Sequence, residues 1–493
     1  MQIRITTDSV NKDAALILPI EKNGHLSAVL QQIATEFDLD SQFLELDFAA
    51  SAKEIMPVQG NTPTGKIRMY LLGLGENPTF ATWLQVARTF FHNNRKKLPL
   101  QLQVAWSFGN RPENLPLAIE GICNGFCLGE YKIGRFKTGD DQVSTQVETS
   151  LEFLVAPSEI AQAKTSAQRG QAFAETQSTL IDLVNAPSNY KNPIDLSNWA
   201  LRSSEKHQFT VRVMEKAEIE KTGLHGLLAV NRGSEYPATF TIMEYIPNGP
   251  VLKKVGLVGK GVTFDSGGLS IKPSANMHFM KSDMGGAAAV FGTLEMAAKL
   301  KLPIHLIGIV PATDNSVDAL SVKPSDIISS YSGKSIEIID TDAEGRLILA
   351  DGLSYMVQNY QPEILIDLAT LTGSVIRSLG YVAGGLFSNN EELSKDLISA
   401  GQRSGERLWP FPIWEEYGEM IRSDMADVKN FSGKPMAGAI TAAKFLEHFI
   451  HDHTCWAHLD IAGVAMSDTE FSMQKSATAF GVRLLIDFLE NLD

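Results

Sequence analysis

The second half of the chain is marked by short, nearly continuous apolar runs at 255–258, 304–310 and 364–369. Runs of this length with no polar face suit strands covered on both sides. Between them, 285–300 and 346–360 repeat apolar residues at helical spacing. This alternation predicts a mostly parallel, helix-flanked sheet. The first part of the chain has strand-like runs at 15–18, 67–72 and 100–105, and helical patterns near 26–37 and 80–93. The stretch 158–184 is polar and rich in Ala and Gln, without proline, which predicts a connecting helix. Prolines at 187 and 193 then break it. The expected class is α/β with two domains. A smaller N-terminal α/β domain covers 1–155, a connecting helix 156–185, and a larger catalytic domain 186–493.

Length supports two domains, since 493 residues exceed one ordinary core. With 44% hydrophobic and 20% charged residues, the composition is that of a soluble globular protein. A net charge of -14 argues against nucleic acid as the main partner, without excluding a local basic patch. No run is long enough to span a bilayer, and the alternating 1–6 stretch reads as a strand rather than a leader. Three cysteines give no disulfide framework and fit a reducing compartment, so a cytoplasmic location is expected. Cys123 and Cys127 read as small core residues, and the 73–75 Gly-Leu-Gly as a turn, because the full dinucleotide spacing is missing. His451-Asp452-His453 reads as a solvated helix end.

The chemistry gathers at 340–347, Asp-Thr-Asp-Ala-Glu-Gly-Arg-Leu. A strand pattern at 335–339 precedes it and a helical one follows, so the cluster falls at a strand end, where open α/β sheets bind ligands. In an extended segment, Asp342 and Glu344 would point the same way and converge on one cation. Lys260, Asp265 and Lys272 follow the 255–258 run, and Asp283 follows soon after, with glycines beside most of them. Asp283 also reads, on its own, as an N-cap for the 285–300 helix. The Gly-Lys pair at 259–260 lacks the rest of a phosphate loop. Carboxylates converging from several strand ends repel unless cations compensate them, and two divalent ions sharing bridging carboxylates would do so.

These motifs resemble the leucyl aminopeptidases, two-metal exopeptidases. The likeness rests on 259–268 (GKGVTFDSGG), 280–287 (MKSDMGGA), 341–347 (TDAEGRL), 369–373 (ATLTG) and 458–463 (HLDIAG), and runs from about residue 184 onward. The N-terminal region matches weakly, chiefly at 129–132. The resemblance implies an enzyme releasing the N-terminal residue of peptides, with leucine or another apolar residue preferred. It implies that Lys260, Asp265, Asp283 and Glu344 hold one metal, and Asp265, Asp342 and Glu344 the other. Zinc is implied, with manganese or magnesium tolerated at one site. Such a lysine must be neutral, since an ammonium has no lone pair. Lys272 would polarise the scissile carbonyl. Arg346 would hold a bicarbonate as general base. Met280, Thr370, Gly373 and Ala462 would form the side-chain pocket, with Leu371 beside the bicarbonate. A homohexamer with sites facing an interior cavity is also implied. Some members also bind DNA, which the acidic balance opposes here. Asp340 stands where the family usually has asparagine, Ala465 where some relatives have a pocket methionine, and Ser476 and Ala479 where it has glycines.

Overall fold

The computed structural model describes residues 1–106, 111–134, 136–138 and 149–492. The chain divides into two compact units, Met1–Ser178 with Glu470–Ser472, and Thr179–Thr469 with Met473–Asp493.

The first unit is built on strands β1 (Gln2–Thr6), β2 (Ala15–Ile20), β3 (Ile55–Thr62), β4 (Gly65–Gly73), β5 (Gln101–Val104) and β6 (Ser150–Leu154). They pair in the order β1-β6-β5-β2-β4-β3, and only the β3–β4 hairpin is antiparallel. All six residues of β2 are buried, because helices cover both faces of the sheet. Its alternation divides the core. Leu16 and Leu18 pack with Val29, Leu30 and Ile33 of the helix Leu26–Glu36. Ala15 and Ile17 pack with Trp83 and Phe90 of Phe80–Asn94 and with Ile119 and Phe126 of Leu115–Glu130. Those last two helices approach closely at Gly125, where an added Cβ would lie 2.3 Å from the Leu84 carbonyl oxygen. Cys123 is buried in that core, Cys127 is partly buried, and both are free thiols. The helix predicted at 158–184 is Ile160–Asn185.

The second unit holds a nine-stranded sheet. Its strands are β7 (Thr210–Met214), β8 (Thr239–Tyr245), β9 (Lys253–Gly259), β10 (Gly261–Asp265), β11 (Ile304–Asn315), β14 (Ile364–Ala369), β15 (Gly384–Ser388), β16 (Leu408–Pro410) and β18 (Trp456–Asp460). A separate three-stranded sheet uses β12 (Ile327–Ser329), β13 (Ser335–Glu337) and β17 (Val428–Lys429). The large sheet runs β16-β15-β18-β14-β9-β11-β8-β7, with β10 also on β11. The three apolar runs form its centre. β18, β14, β9 and β11 are mutually parallel, so their carboxyl ends share one edge.

Helices Gly285–Leu300 and Gly345–Tyr360 cover opposite faces, as the alternation along β9 shows. An added Cβ at Gly256 would meet Met356 of one helix at 2.8 Å, and one at Gly259 would meet the Gly286 carbonyl oxygen of the other at 2.6 Å. The fold is α/β, with the helix-flanked, mostly parallel sheet that the hydrophobic pattern predicts.

One local expectation changes. The 335–339 strand stops at Glu337 and belongs to the small sheet rather than the large one. Ile338 N–H still donates to the Asp326 carbonyl, one step further along the same register, but the Ile339 N–H is taken by Asn430 Oδ1. That side chain ends the ladder.

Candidate metal centre

The charged residues reach one place by different routes. Lys260 directly follows β9. Its N–H donates to the Leu368 carbonyl at 3.0 Å, and its own carbonyl accepts from Ala287 N–H at 2.9 Å. This wedges the residue between β14 and the helix Gly285–Leu300. Glycine is needed opposite, because an added Cβ at Gly286 would lie 2.0 Å from the Leu368 carbonyl oxygen. Asp265 ends β10, and its Oδ1 accepts from Gly267 N–H (2.9 Å) and Asn315 Nδ2 (2.8 Å). Gly267 and Gly268 take φ of +88° and +63°, a backbone that favours glycine, and the turn brings Lys272 back over Asp265. Asp283 closes the short turn Met277–Ser282. It does not cap the following helix, whose N-cap is Met284. Its Oδ1 accepts instead from Thr370 Oγ1 at 2.7 Å.

Asp342 and Glu344 do converge, but from a turn leading into a helix rather than from an extended strand. Glu344 already has helical φ and ψ of -73° and -37°, and Asp340 Oδ1 accepts from Asp342 N–H at 2.9 Å. Ligand atoms of Asp265, Asp342 and Glu344 lie within 4.8 Å of one another. Lys260 Nζ stands 2.7 Å from Asp283 Oδ2 and 2.8 Å from Glu344 Oε1, and donates to the Thr370 carbonyl at 3.0 Å. Lys272 Nζ is 2.7 Å from Asp265 Oδ2 and also touches Asp342.

Four carboxylates therefore face two ammoniums, a formal excess of two negative charges in a largely buried place. Burial pushes the Asp342 carboxyl up to about 7, with Asp265 and Glu344 adding to the rise. Burial likewise raises Asp283, while Lys260 opposes the shift. Burial pulls the Lys260 and Lys272 ammoniums down, yet the surrounding carboxylates hold both above the ordinary lysine range. Glu344 Oε2 is buried without a hydrogen-bond partner. Hard oxygen donors in excess, one of them unsatisfied, suit a divalent cation. The residues present fit metal ions.

Arg346, on the first turn of Gly345–Tyr360, is buried and pushed down to about 10 by burial. Its Nη1 donates to the Asn430 carbonyl at 2.7 Å, and its Nε is buried without a partner. All these groups line one cavity of about 680 Å³, together with Met280, Thr370, Leu371, Gly373 and Ala462. Ala465 is buried outside that lining, and Met466 lines the cavity in its place. A helical turn at 461–465 carries Ala465 inward, where an added Cβ on Gly285 would lie 2.9 Å from its methyl.

Several supporting residues escaped the sequence reading. Asn430 accepts from Ile339 N–H and Asp340 N–H and donates to the Asp340 carbonyl, fixing the 339–343 turn. Asn315 holds Asp265 and the Thr341 carbonyl together. It is the last residue of β11, after Thr313 and Asp314. Asp460, at the end of β18, accepts from Leu371 N–H (3.1 Å), Thr372 Oγ1 (2.6 Å) and Ala462 N–H (3.2 Å). Lys191 is buried and donates to the carbonyls of Val184 and Lys281, tying down the segment ahead of Asp283. Burial brings its ammonium down to about 7. Asn315, Asn430 and Lys191 lie outside the quoted motifs; Asp460 lies inside the 458–463 motif, but nothing there marks its role.

Fold and site together define an α/β protein with a carboxylate-rich centre suited to divalent ions at the carboxyl edge of its sheet. A family model described as the catalytic domain of the cytosol aminopeptidase family matches residues 179–486. The probable cytosol aminopeptidase of Chloroherpeton thalassium is 41% identical, with 100% of each chain covered. That of Chlorobium phaeobacteroides is 43% identical, with 99% of each covered. Among solved structures, the bottromycin maturation enzyme BotP in complex with Mn matches with a TM-score of 0.83 at 29% identity, covering 98% of this chain and 100% of that one. The chain belongs to the cytosol aminopeptidase family. Its activity class is metal-dependent aminopeptidase. Among the described residues, no helix is long and apolar enough to cross a membrane.

Proposed function

We propose that the chain removes the N-terminal residue, leucine or another apolar residue, from peptides at a centre for two divalent ions. The observation that carries this reading is the convergence of Asp265, Asp342 and Glu344 within 4.8 Å, with Lys260 against Asp283 and Glu344. Asp265 and Glu344 would bridge the ions, Asp342 would complete one site, and Lys260 and Asp283 the other. Lys260 would serve as a donor only after losing its proton, which neighbouring dications favour. The manganese complex of the similar BotP supports a divalent ion; zinc, manganese and magnesium are the candidates. Bound there, the ions would supply Lewis acidity and a water of lowered pKa.

The substrate's free amine would also bind to the ions held there, which would limit cleavage to the chain terminus. The chain's own groups divide the rest of the work. Lys272, whose side chain is 20% exposed, stands on the open side of the cluster, where it would stabilise the oxyanion. Met280, Thr370, Gly373 and Ala462 would receive the side chain. No carboxylate of the cluster is left over as a base, since all are committed to the cations. Arg346, with a buried Nε in search of an acceptor, would hold a bicarbonate for that task beside Leu371. Family likeness adds a cytoplasmic homohexamer, which sedimentation velocity tests. The central experiment is hydrolysis of leucine p-nitroanilide by chelator-stripped protein with zinc, manganese or magnesium restored. Activity should vanish and return. Glu344→Gln should lower kcat severely without unfolding the protein, and full turnover by metal-free enzyme would end the two-ion reading.

A further inference from the structure

The cavity carries two cations that this chemistry does not use. Arg377 stands on the helix Gly373–Leu379, and Lys434 lies four residues ahead of the helix Gly438–Glu447. Both line the cavity. The two helices meet at their starts, where an added Cβ on Gly438 would lie 3.2 Å from Ser374 Cβ. Arg377 reaches back one turn along its own helix. A Cβ added to Gly373 would lie 3.6 Å from Arg377 Nη1, so the guanidinium stands beside a position of the proposed side-chain pocket.

Their surroundings set these two apart from the other bases of the cavity. Lys260 and Lys272 are each held between two carboxylates. Arg346 is buried and bonded to the Asn430 carbonyl. Arg377 and Lys434 are exposed, and among the described residues neither side chain has an ion-pair or hydrogen-bond partner. A shortage of acids is not the reason, because the chain has 57 Asp and Glu against 43 Lys and Arg. Two unpaired cations thus face the same cavity in an acidic protein, one of them a planar fork suited to a carboxylate. The acids that line that cavity are Asp265, Asp283, Asp342 and Glu344 of the proposed metal centre, and Asp340 beside them in the chain.

We propose that Arg377, with Lys434, forms a carboxylate-binding subsite at the mouth of the cavity, so that the preferred substrates are peptides carrying a carboxylate within reach of it. The inference rests on the aminopeptidase reading of the same cavity. The carboxylate has three sources: the side chain of an acidic first residue, which would replace the apolar preference proposed above, that of an acidic second residue, or the free C-terminus of a dipeptide. A guanidinium–carboxylate pair at a half-open site is worth about tenfold in affinity.

The test measures kcat/KM of the metal-loaded enzyme for Leu-Ala amide, Leu-Ala, Leu-Asp amide and Glu-Ala amide, in wild type, Arg377→Ala and Lys434→Ala. At least one carboxylate peptide should exceed the matching neutral amide in wild type, and which one identifies the source. In Arg377→Ala that ratio should fall about tenfold, mainly through KM, with a smaller fall in Lys434→Ala. Added salt should erode the wild-type ratio in the same direction. Arg377→Lys, which keeps the charge but not the fork, should recover part of it. A ratio identical in wild type and Arg377→Ala overturns the subsite. Failure of the loaded wild type on all four peptides instead overturns the aminopeptidase reading, and the subsite with it.

Discussion

Gly345 leaves open the space that Lys260 occupies: a Cβ on Gly345 would lie 2.6 Å from Lys260 Cε and 2.7 Å from its Nζ. The lysine is buried, so it has nowhere to retreat without leaving Asp283 and Glu344. Gly345→Ala therefore acts on the centre, while alanine at a helical position costs the fold nothing in propensity. The variant should have a lower thermal midpoint, from a loss of about 1–3 kcal/mol at the overpacked site, and lose roughly ten- to a hundredfold in metal affinity or activity, the scale of changes that disturb groups around a metal. Metal content by elemental analysis and leucine p-nitroanilide turnover check this. Wild-type values for both would show that Lys260 position does not matter.

Asp340 explains itself in part through its bond to Asp342. Its Oδ1 accepts from Asp342 N–H at 2.9 Å, a bond that the amide oxygen of an asparagine makes equally well. The aspartate therefore contributes the same turn plus one negative charge on the cavity wall. Asp340→Asn should preserve the fold and weaken manganese binding about fivefold, on the order of 1 kcal/mol for one partly screened charge. Titration calorimetry of the stripped protein reads this directly. An unchanged constant would mean the charge is not felt by the ions.

What the sequence makes legible follows from how local each cause is. The helices Gly285–Leu300 and Gly345–Tyr360 and the central strands are visible because burial imposes a period on neighbouring residues. Asp265, Asp283, Asp342 and Glu344 are visible as too much charge beside too many glycines. The early end of β13 is not visible, because the side chain that takes the Ile339 amide is Asn430, 91 residues away. Asn315 is hidden for the same reason, as a single polar residue whose partners lie in remote segments. Asp460 is visible within its motif, but its hold on Leu371 and Thr372 is not, because they lie in a remote segment. The convergence of Asp342 and Glu344 is read correctly from the wrong geometry, since a turn entering a helix can gather i and i+2 as a strand does. Ala465 is buried beside the cavity, while its neighbour Met466 lines it.

A buried acid away from the centre gives a pH-dependent prediction. Asp351 lies on the buried side of Gly345–Tyr360 and accepts from Leu227 N–H at 3.0 Å and Tyr331 N–H at 2.8 Å. Burial nonetheless raises its carboxyl to about 7. The unfolded chain titrates this group near 3.9. The folded state thus binds the proton more tightly, so the stabilisation is complete below about pH 4 and is lost as pH rises through about 7. Asp351→Asn has no such proton to lose. Across pH 5 to 8, its denaturation midpoint should move in its favour relative to wild type, whatever the offset from altered hydrogen bonding. Parallel curves over that window would remove the linkage.

Asp460 ties the cavity wall to the sheet, and its removal should separate binding from chemistry. The carboxylate gathers Leu371 N–H, Thr372 Oγ1 and Ala462 N–H at 3.1, 2.6 and 3.2 Å, yet it does not itself line the cavity. In Asp460→Asn the amide oxygen still accepts the backbone N–H groups. The amide nitrogen then faces Thr372 Oγ1, which also caps the next helix by accepting from Val375 N–H. Asp460→Ala leaves all of these donors without the carboxylate, at a cost of about 1–3 kcal/mol for each one left buried and unpaired. Stability and activity should therefore fall in the order wild type, Asn, Ala. Because the loop carries residues of the proposed side-chain pocket rather than of the proposed ligand set, KM for leucine substrates should rise more than kcat falls, with metal content unchanged. A loss of metal with KM intact would place Asp460 in support of the ions instead.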